Sequence, residues 1–182
     1  MKEISLHILD IAENSVNAGA SKITIEVIEN IKKDKLIIKI TDNGKGMSEE
    51  TVAVISDPFV TTRKTRRVGL GIPFFKAAAE ACNGSLFIKS ELGRGTSVTV
   101  EFQHSHIDRM PLGDIEGTLT NLFIGYPNVN WVFRFEANGD SFLINGEEIK
   151  EILDDVPLSD PSVISFIRTQ INDGIGNLRI SE

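Results

Sequence analysis

The sequence of 182 residues contains a single cysteine, Cys82, and no long hydrophobic run. One cysteine excludes a disulfide framework and any metal site built from several thiolates, which suits a reducing compartment. The most apolar stretch is interrupted by Lys76 and Glu80 and is shorter than the roughly 18 residues of a membrane span. Glu3 and Asp10 lie where a secretory signal peptide needs apolar residues. We therefore expect a cytoplasmic protein that does not associate with a membrane.

Basic residues also do not outnumber acidic ones. The chain has 19 Lys and Arg against 26 Asp and Glu, which gives a net charge of -7. Nucleic-acid-binding proteins are more often basic, so we do not expect nucleic acid as a partner. The remaining composition, 41% hydrophobic and 25% charged, is typical of a globular protein and excludes intrinsic disorder.

The negative charge is concentrated in the last part of the chain. Residues 107–182 hold thirteen acidic and five basic residues, a net charge of -8, whereas residues 1–106 carry +1. Near residue 106 a strand-like run also gives way to turn-forming residues. These changes predict two units, residues 1–106 and residues 107–182. The second has the pattern of a small α/β unit, helix–hairpin–helix, whose acidic surface either docks a protein partner or serves solubility alone.

Hydrophobic periodicity predicts an alternation of helices and strands. Helical spacing over residues 3–17 predicts a first helix, and alternation predicts strands at residues 23–30 and 35–41 joined by a tight turn. The other predicted elements are a short helix from about residue 48, a helix over 69–84, strands at SLFIKSE and GTSVTVEF, a helix over about 113–124, a hairpin around Asn138-Gly139, and helices over about 146–154 and 161–173.

Asp10 and Asn14 are four residues apart on the first predicted helix and therefore share one face. A carboxylate one turn before an asparagine can orient an attacking oxygen while the amide oxygen holds a metal. Mg²⁺ prefers such hard oxygen ligands and takes its other ligands from water and substrate phosphates. The alternative is that Asn14 only makes hydrogen bonds at a helix end.

A loop with two glycines follows the second predicted strand. Within it, Asp42 is an acceptor suited to an exocyclic amino group such as adenine N6. Gly44 and Gly46 allow the backbone to approach a ring without interference from a Cβ atom. The same pattern is also common in ordinary turns.

A glycine-rich helix start supplies a third candidate element. Gly69-Leu70-Gly71 opens a predicted helix, whose free N–H groups and dipole favour an anion. The preceding segment contains Arg63, Lys64, Arg66 and Arg67, which can screen the charge of a triphosphate. A plain helix start and a solvated basic loop are the alternative interpretations.

Together these segments resemble the GHKL ATPases, a superfamily of histidine-kinase catalytic domains, anti-sigma-factor kinases, gyrase, mismatch-repair proteins and heat-shock chaperones. The runs ILDIAENSVNAGA, ITDNGKGM, DPFVTTRK, VGLGI and GRGTSVTVEF occur in the order and spacing of that superfamily, over residues 1–102. The resemblance implies a Bergerat-type α/β sandwich, with helices on one face of a mixed sheet. ATP would lie between the helix of Asn14 and a lid at about residues 57–68.

The resemblance also implies individual roles. Asn14 would coordinate Mg²⁺, Asp42 would receive the adenine N6 hydrogen bond, and Thr96 would touch the adenine. Glycines would shape the base pocket or face phosphate. The ATP-binding residues implied in this way are Asn14, Asp42, Gly44, Gly46, Met47, Lys64, Gly69, Leu70, Gly71 and Thr96.

Position 10 departs from the family pattern. ATP-hydrolysing members place a glutamate there, and Asp10 reaches less far by about 1.5 Å, one methylene. Since a misplacement of about 1 Å can cost about 100-fold in rate, efficient hydrolysis is in doubt, whereas ATP binding depends on other residues.

These patterns favour a protein that binds ATP and Mg²⁺ and transfers the γ-phosphoryl group to a histidine or serine of a partner in trans. Asp10 is the candidate catalytic residue, which would position the acceptor hydroxyl or a water. Two alternatives remain open, an ATP-responsive binding switch with little catalysis and a slow ATPase driving dimer closure.

Overall fold

The computed structural model describes residues 2–56, 71–137, 139–154 and 156–180. Its helices are α1 (Ile4–Asn17), α2 (Glu49–Ser56), α3 (Gly71–Glu80), α4 (Ile115–Gly125), α5 (Gly146–Leu153) and α6 (Pro161–Ile180). Its strands are β1 (Lys22–Asn30), β2 (Lys35–Asp42), β3 (Ser85–Glu91), β4 (Gly95–Gln103), β5 (Asn130–Ala137) and β6 (Asp140–Asn145).

Helix α1 forms because apolar residues recur at helical spacing along one face. Ile4, Ile8 and Ile11 are all at most 3% exposed. The first turn is held from outside the helix, since the backbone N–H of Ile4 donates to the carbonyl of Pro111 at 3.0 Å. The N–H of Ser5 donates to Leu112 at 2.9 Å. A segment beyond residue 106 therefore satisfies donors that the start of a helix leaves free.

The six strands form one mixed sheet in the order β3-β4-β2-β1-β5-β6. The pair β1 and β5 is parallel, and the other neighbouring pairs are antiparallel. Strand β5 thus joins the edge that β1 leaves open, and strands from both sides of residue 106 belong to the same sheet. The division into residues 1–106 and 107–182 stays a prediction about folding units.

The two faces of this sheet have different chemistry. Strand alternation places Ile25, Leu36 and Phe133 on the helix-covered face, where each is at most 1% exposed. On the other face, Glu26 accepts from Lys39 at 3.2 Å and lies 3.7 Å from Arg134. The two-layer arrangement with helices on one face, predicted from the sequence, is confirmed.

Helix α6 is longer than predicted, since it runs to Ile180 rather than to about residue 173. Ile171 and Ile175 keep the helical spacing and are buried, so the helix continues past Gly174. Gly174 packs against the ring of Phe142, where a Cβ atom would overlap the ring. The glycine is thus used for close packing rather than for ending the helix. None of the described helices is long and apolar enough to cross a membrane.

Candidate functional site

A cavity of about 350 Å³ opens between α1, the loop that follows β2, α2, and the start of β4. Five polar or charged side chains from α1 and β2 or its loop line it together with apolar residues. The lining residues are Ile11, Asn14, Ser15, Asn17, Ala18, Asp42, Lys45, Gly46, Met47, Thr51, Ile55, Ile72, Thr96 and Val98. A concave, mostly apolar space with a few fixed polar groups is typical of a small-molecule site.

Asp42, the last residue of β2, is the most firmly held polar group of the cavity. It is 8% exposed. Its Oδ1 accepts hydrogen bonds from the backbone N–H of Gly44 at 2.8 Å and of Thr96 at 3.2 Å. Its Oδ2 accepts from the hydroxyl of Ser15 at 2.6 Å. Donors from α1, the glycine loop and β4 therefore fix the orientation of one carboxylate.

The two glycines after Asp42 have different neighbours. Gly46 lines the cavity with φ of +64°, and a Cβ atom there would overlap the carbonyl of Glu91. Gly44 lies behind the carboxylate, where a Cβ would come within 3.0 Å of the Ala18 carbonyl. Both positions therefore need the missing side chain for close packing, and Gly46 contributes to the cavity wall.

Asn14 lies on the cavity wall and is exposed, whereas Asp10 lies outside the lining. The side-chain N–H of Asn14 donates to Asp10 Oδ2 at 3.3 Å. This bond uses one of the two N–H groups of the Asn14 amide, and the amide oxygen is an acceptor available to a ligand. Burial raises the pKa of the Asp10 carboxyl, and the hydrogen bond from Asn14 acts in the opposite direction.

Gly71, the first residue of α3, packs directly against the carboxylate of Asp10, and a Cβ at Gly71 would overlap it. One turn earlier on α1, His7 is 1% exposed and stacks on Phe75 with ring centroids 4.5 Å apart. Burial lowers the pKa of His7. His7 is thus a packed helix residue that joins α1 to α3.

Met47 and Thr96 are linked by hydrogen bonds through the side chain of Ser90. The N–H of Met47 donates to Ser90 Oγ at 2.9 Å, and Ser90 Oγ lies 2.9 Å from Thr96 Oγ1. The structure therefore brings Asn14, Asp42, Gly46, Met47 and Thr96 to one cavity. Gly44 supports the carboxylate from behind, and Asp10 and Gly71 adjoin Asn14.

Three residues of the ATP-binding set, Lys64, Gly69 and Leu70, lie outside the described residues, as does the segment 57–68. Their roles stay predictions. Within the ranges that the structure describes, no group of three or more His, Cys, Asp or Glu side chains could hold a metal ion.

Sequence reasoning did not identify several residues of the cavity. Ser15 directly follows Asn14 but has the pattern of an ordinary helix serine, and Lys45 stands between the two glycines of the loop. Ile72 and Val98 have the sequence pattern of core residues. No local signal separates these residues from structural ones, because the long-range packing of α1, α3 and β4 makes them neighbours.

The mixed sheet with its helical layer, and a cavity between α1 and the glycine loop, define a histidine-kinase-like nucleotide-binding domain of the GHKL class. A family model described as "Histidine kinase-, DNA gyrase B-, and HSP90-like ATPase" matches residues 2–106, more than half of the chain. The chain belongs to this family.

Relatives of this part of the chain include bacterial kinases. It is 39% identical over 95 residues to "Sporulation kinase D" of Bacillus subtilis, covering 51% of this chain and 18% of that protein. It is 38% identical over 93 residues to "Sensor protein kinase FleS" of Pseudomonas aeruginosa, covering 51% of this chain and 23% of that protein. The chain thus spans less than a quarter of the length of either kinase.

A solved structure described as the N-terminal domain of a DNA repair protein has a similar fold. The TM-score is 0.56 with 13% identity, over 94% of this chain and 56% of that chain. Because the identity is low, this likeness concerns the fold alone.

Proposed function

We propose that this chain binds ATP with Mg²⁺ in the cavity beside α1 and transfers the γ-phosphoryl group to a protein partner in trans. The observation that carries the proposal is the presence of Asp42 and Asn14 on the wall of one cavity of about 350 Å³. A carboxylate acceptor suits the amino group of adenine, and an amide oxygen suits a hard cation.

The chemistry of the cavity wall supports a purine as the bound base. Ile11, Ile72 and Val98 supply apolar surface for the faces of a ring. Asp42 Oδ2 accepts one hydrogen bond from protein, which leaves acceptor capacity for an exocyclic amino group. Because Gly46 has no side chain, the loop that contains it can lie close to the bound base.

Asn14 fits the role of a Mg²⁺ ligand. It is exposed at the cavity wall and one of its two N–H groups donates to Asp10, and its oxygen is an acceptor available to a cation. Mg²⁺ commonly takes one or two protein ligands and completes its shell with water and phosphate oxygens. The bound ion would supply neutralisation of phosphate charge during phosphoryl transfer.

In phosphoryl transfer the protein acts mainly by positioning and electrostatics. The acceptor atom of the partner forms a bond to the γ-phosphorus while the bond to the β–γ bridging oxygen breaks, and ADP leaves. In our proposal Asp42 and Asn14 orient the nucleotide, and Asp10 positions the acceptor group or a water. The neighbouring Glu13 is directed elsewhere, since it accepts a hydrogen bond from Tyr126 at 3.4 Å.

The partner is proposed to dock on the acidic part of the chain. Residues 107–182 carry a net charge of -8. Helix α5 exposes Glu147, Glu148 and Glu151 to solvent beside Ile152, which is 73% exposed. A partner with basic residues around an apolar contact would match this surface. Self-association as a homodimer is the alternative.

The test is incubation of the protein with γ-labelled ATP, Mg²⁺ and candidate partner proteins. We expect label on a partner protein, and we expect Asp10→Ala to abolish labelling while ADP binding remains. An Asn121→Ala variant, altered on the exposed side of α4, is the control and should label normally. Absence of label on every partner contradicts the transfer.

A second candidate function is an ATP-responsive binding switch with little catalysis. It is favoured by the position of Asp10, which lies outside the cavity lining, hydrogen-bonded to Asn14 and packed against Gly71. In that case Asp10→Ala leaves regulation of partner binding by ATP unchanged, whereas transfer requires Asp10. Measuring partner affinity with and without ATP in this variant separates the two functions.

A further inference from the structure

Strand β6 is an edge of the sheet without a neighbouring strand on its outer side. The strand order places it last, and it pairs with β5 alone. In the described part of the chain, the N–H and C=O groups of β6 that point away from β5 make no backbone hydrogen bond. Such a row of backbone groups is a template for another strand. The edge of β6 is therefore open to a second polypeptide.

The composition of β6 does not protect this edge. Natural edge strands often carry a lysine, a proline or a bulge that prevents pairing. The strand DSFLIN has none of these, and its one charged residue is Asp140, at its start. Leu143 is 57% exposed and lies beside Arg134 on the face of the sheet that carries no helices. An edge without protection indicates a strand that pairs in an assembly.

The opposite edge of the sheet, β3, provides an internal comparison. Its sequence SLFIKSE contains Lys89 and Glu91. The glycine loop also lies beside it, since the N–H of Met47 donates to Ser90 Oγ at 2.9 Å. Phe87 of β3 is 59% exposed, close to the value for Leu143. The two edges thus expose similar apolar surface, and only β6 lacks charges within the strand.

We propose that β6 pairs with β6 of a second copy of this chain, antiparallel about a twofold axis at Leu143, so that the two sheets become continuous. A twofold contact between identical strands matches outward N–H groups of one copy with outward C=O groups of the other. No residue of β6 lines the nucleotide cavity. The inference therefore goes beyond the proposed function and does not depend on it.

The sequence of β6 is complementary to itself in this register. Because side chains alternate between faces, only residues of the same face can stand opposite each other. With Leu143 opposite Leu143 of the copy, Phe142 meets Ile144, and such apolar cross-strand pairs stabilise a sheet. Asp140 then faces Gly146, which has no side chain. A centre at Phe142 would instead place Asp140 opposite the buried Ile144. This self-complementarity favours a second copy as the occupant.

The net charge of the chain opposes the contact. Each copy brings residues 107–182 with a net charge of -8, and the two parts repel each other. Salt screens this repulsion, with a Debye length of about 8 Å at physiological ionic strength. Backbone hydrogen bonds and the leucine contact depend much less on salt. The dimer should therefore tighten as salt increases, whereas a complex held by opposite charges weakens.

The first test is analytical ultracentrifugation of the full chain without nucleotide, from about 1 µM to 1 mM, a range that covers weak and moderate dimers. We expect the mass to approach that of two chains, at lower concentration in higher salt. Leu143→Lys puts like charges opposite each other at the axis and should raise the dissociation constant at least about tenfold. Phe87→Lys on β3 is the matched control and should stay within about twofold of the unaltered protein.

The second test is disulfide cross-linking, which reports the register. Directly opposed residues of an antiparallel pair have Cα atoms about 4.5–5.5 Å apart, within the range of a disulfide. On oxidation, Leu143→Cys should form a covalent dimer. In Ser141→Cys the two 141 positions lie about 13 Å apart along the strands, so cross-linking should be at least about tenfold slower. The native Cys82 is 2% exposed and does not compete.

A monomer at every concentration and salt overturns the proposal and leaves a strand of another protein as the occupant of this edge. Equal weakening by Leu143→Lys and Phe87→Lys, or cross-linking of Ser141→Cys as fast as that of Leu143→Cys, also overturns it. None of these outcomes concerns nucleotide binding. Failure of the proposed function would appear instead as absence of ATP binding or of phosphoryl transfer, so the two failures are distinguishable.

Discussion

At the residue scale, the candidate site depends on a few polar side chains that are fixed by neighbours rather than exposed freely to solvent. Asp42 is held by three donors, and Asn14 is oriented by Asp10. The sequence predicted Asp42 and Gly46 because their motif is local. It did not predict Ser15, because the partner of Ser15 is 27 residues away and only the folded chain brings them together.

His7 should make the stability of the protein depend on pH. Burial lowers its pKa in the folded state below the ordinary value of 6.5. Below about pH 6.5 the unfolded chain then binds a proton that the folded chain does not, so the free energy of unfolding falls as pH decreases. This loss continues until the pH passes the lowered pKa of the folded state.

Denaturant unfolding of the unaltered protein and of His7→Phe between pH 7.5 and 5 measures this contribution. We expect His7→Phe, which keeps an aromatic ring against Phe75, to lose less stability on acidification. Asn121→Ala, which changes an exposed residue that does not ionise, is the control and should follow the unaltered protein. Equal slopes for all three proteins would show that His7 does not titrate with unfolding.

At the element scale, periodicity predicted the helices and strands of the described chain, and long-range contacts decided where some of them end. Helix α6 is the clearest difference. Its end was predicted at about residue 173, yet the helix continues through Gly174, which packs against Phe142, as far as Ile180, and Ile175 is still buried. Local composition carries no information about a ring that lies opposite a glycine.

The two glycines of α6 should respond in opposite directions to alanine. Gly174→Ala places a Cβ into the ring of Phe142, and we expect a loss of about 1–3 kcal/mol in the free energy of unfolding. A Cβ at Gly176 meets nothing within 4 Å. Gly176→Ala should therefore stabilise the helix by up to about 1 kcal/mol. Urea unfolding of both variants measures the difference, and equal effects would contradict this packing of α6 on β6.

At the scale of the whole molecule, the part beyond residue 106 completes the sheet and supports the helix of the site. Arg179 near the end of α6 donates to Glu29 of β1 at 2.7 and 3.2 Å and lies over the ring of Phe135. Charge and composition predicted a boundary near residue 106 but could not predict that β5 would pair with β1. The order of strands in a sheet depends on which strands pair with each other. The distribution of charge along the chain does not indicate these pairs.

Because both parts share one sheet, a nucleotide bound in the first part should stabilise the second. Trp131 is the only tryptophan and is buried on β5, so its fluorescence reports on the part beyond residue 106. We expect Trp131 fluorescence and circular dichroism to give the same thermal midpoint, and ADP to raise both equally. Two separate midpoints, with ADP raising only one, would support residues 1–106 and 107–182 as independent folding units.

The central claim is that Asp42 and Asn14 bind the two ends of one nucleotide. Isothermal titration of ATP with Mg²⁺ into the unaltered protein, Asp42→Ala and Asn14→Ala tests it most directly. We predict binding by the unaltered protein and at least about a 100-fold loss in Asp42→Ala, since a buried acceptor is removed from the base. Asn14→Ala should lose most of the gain that Mg²⁺ gives to ATP affinity, while its affinity for ADP without Mg²⁺ stays within about twofold. Equal ATP affinity in all three proteins would contradict the account.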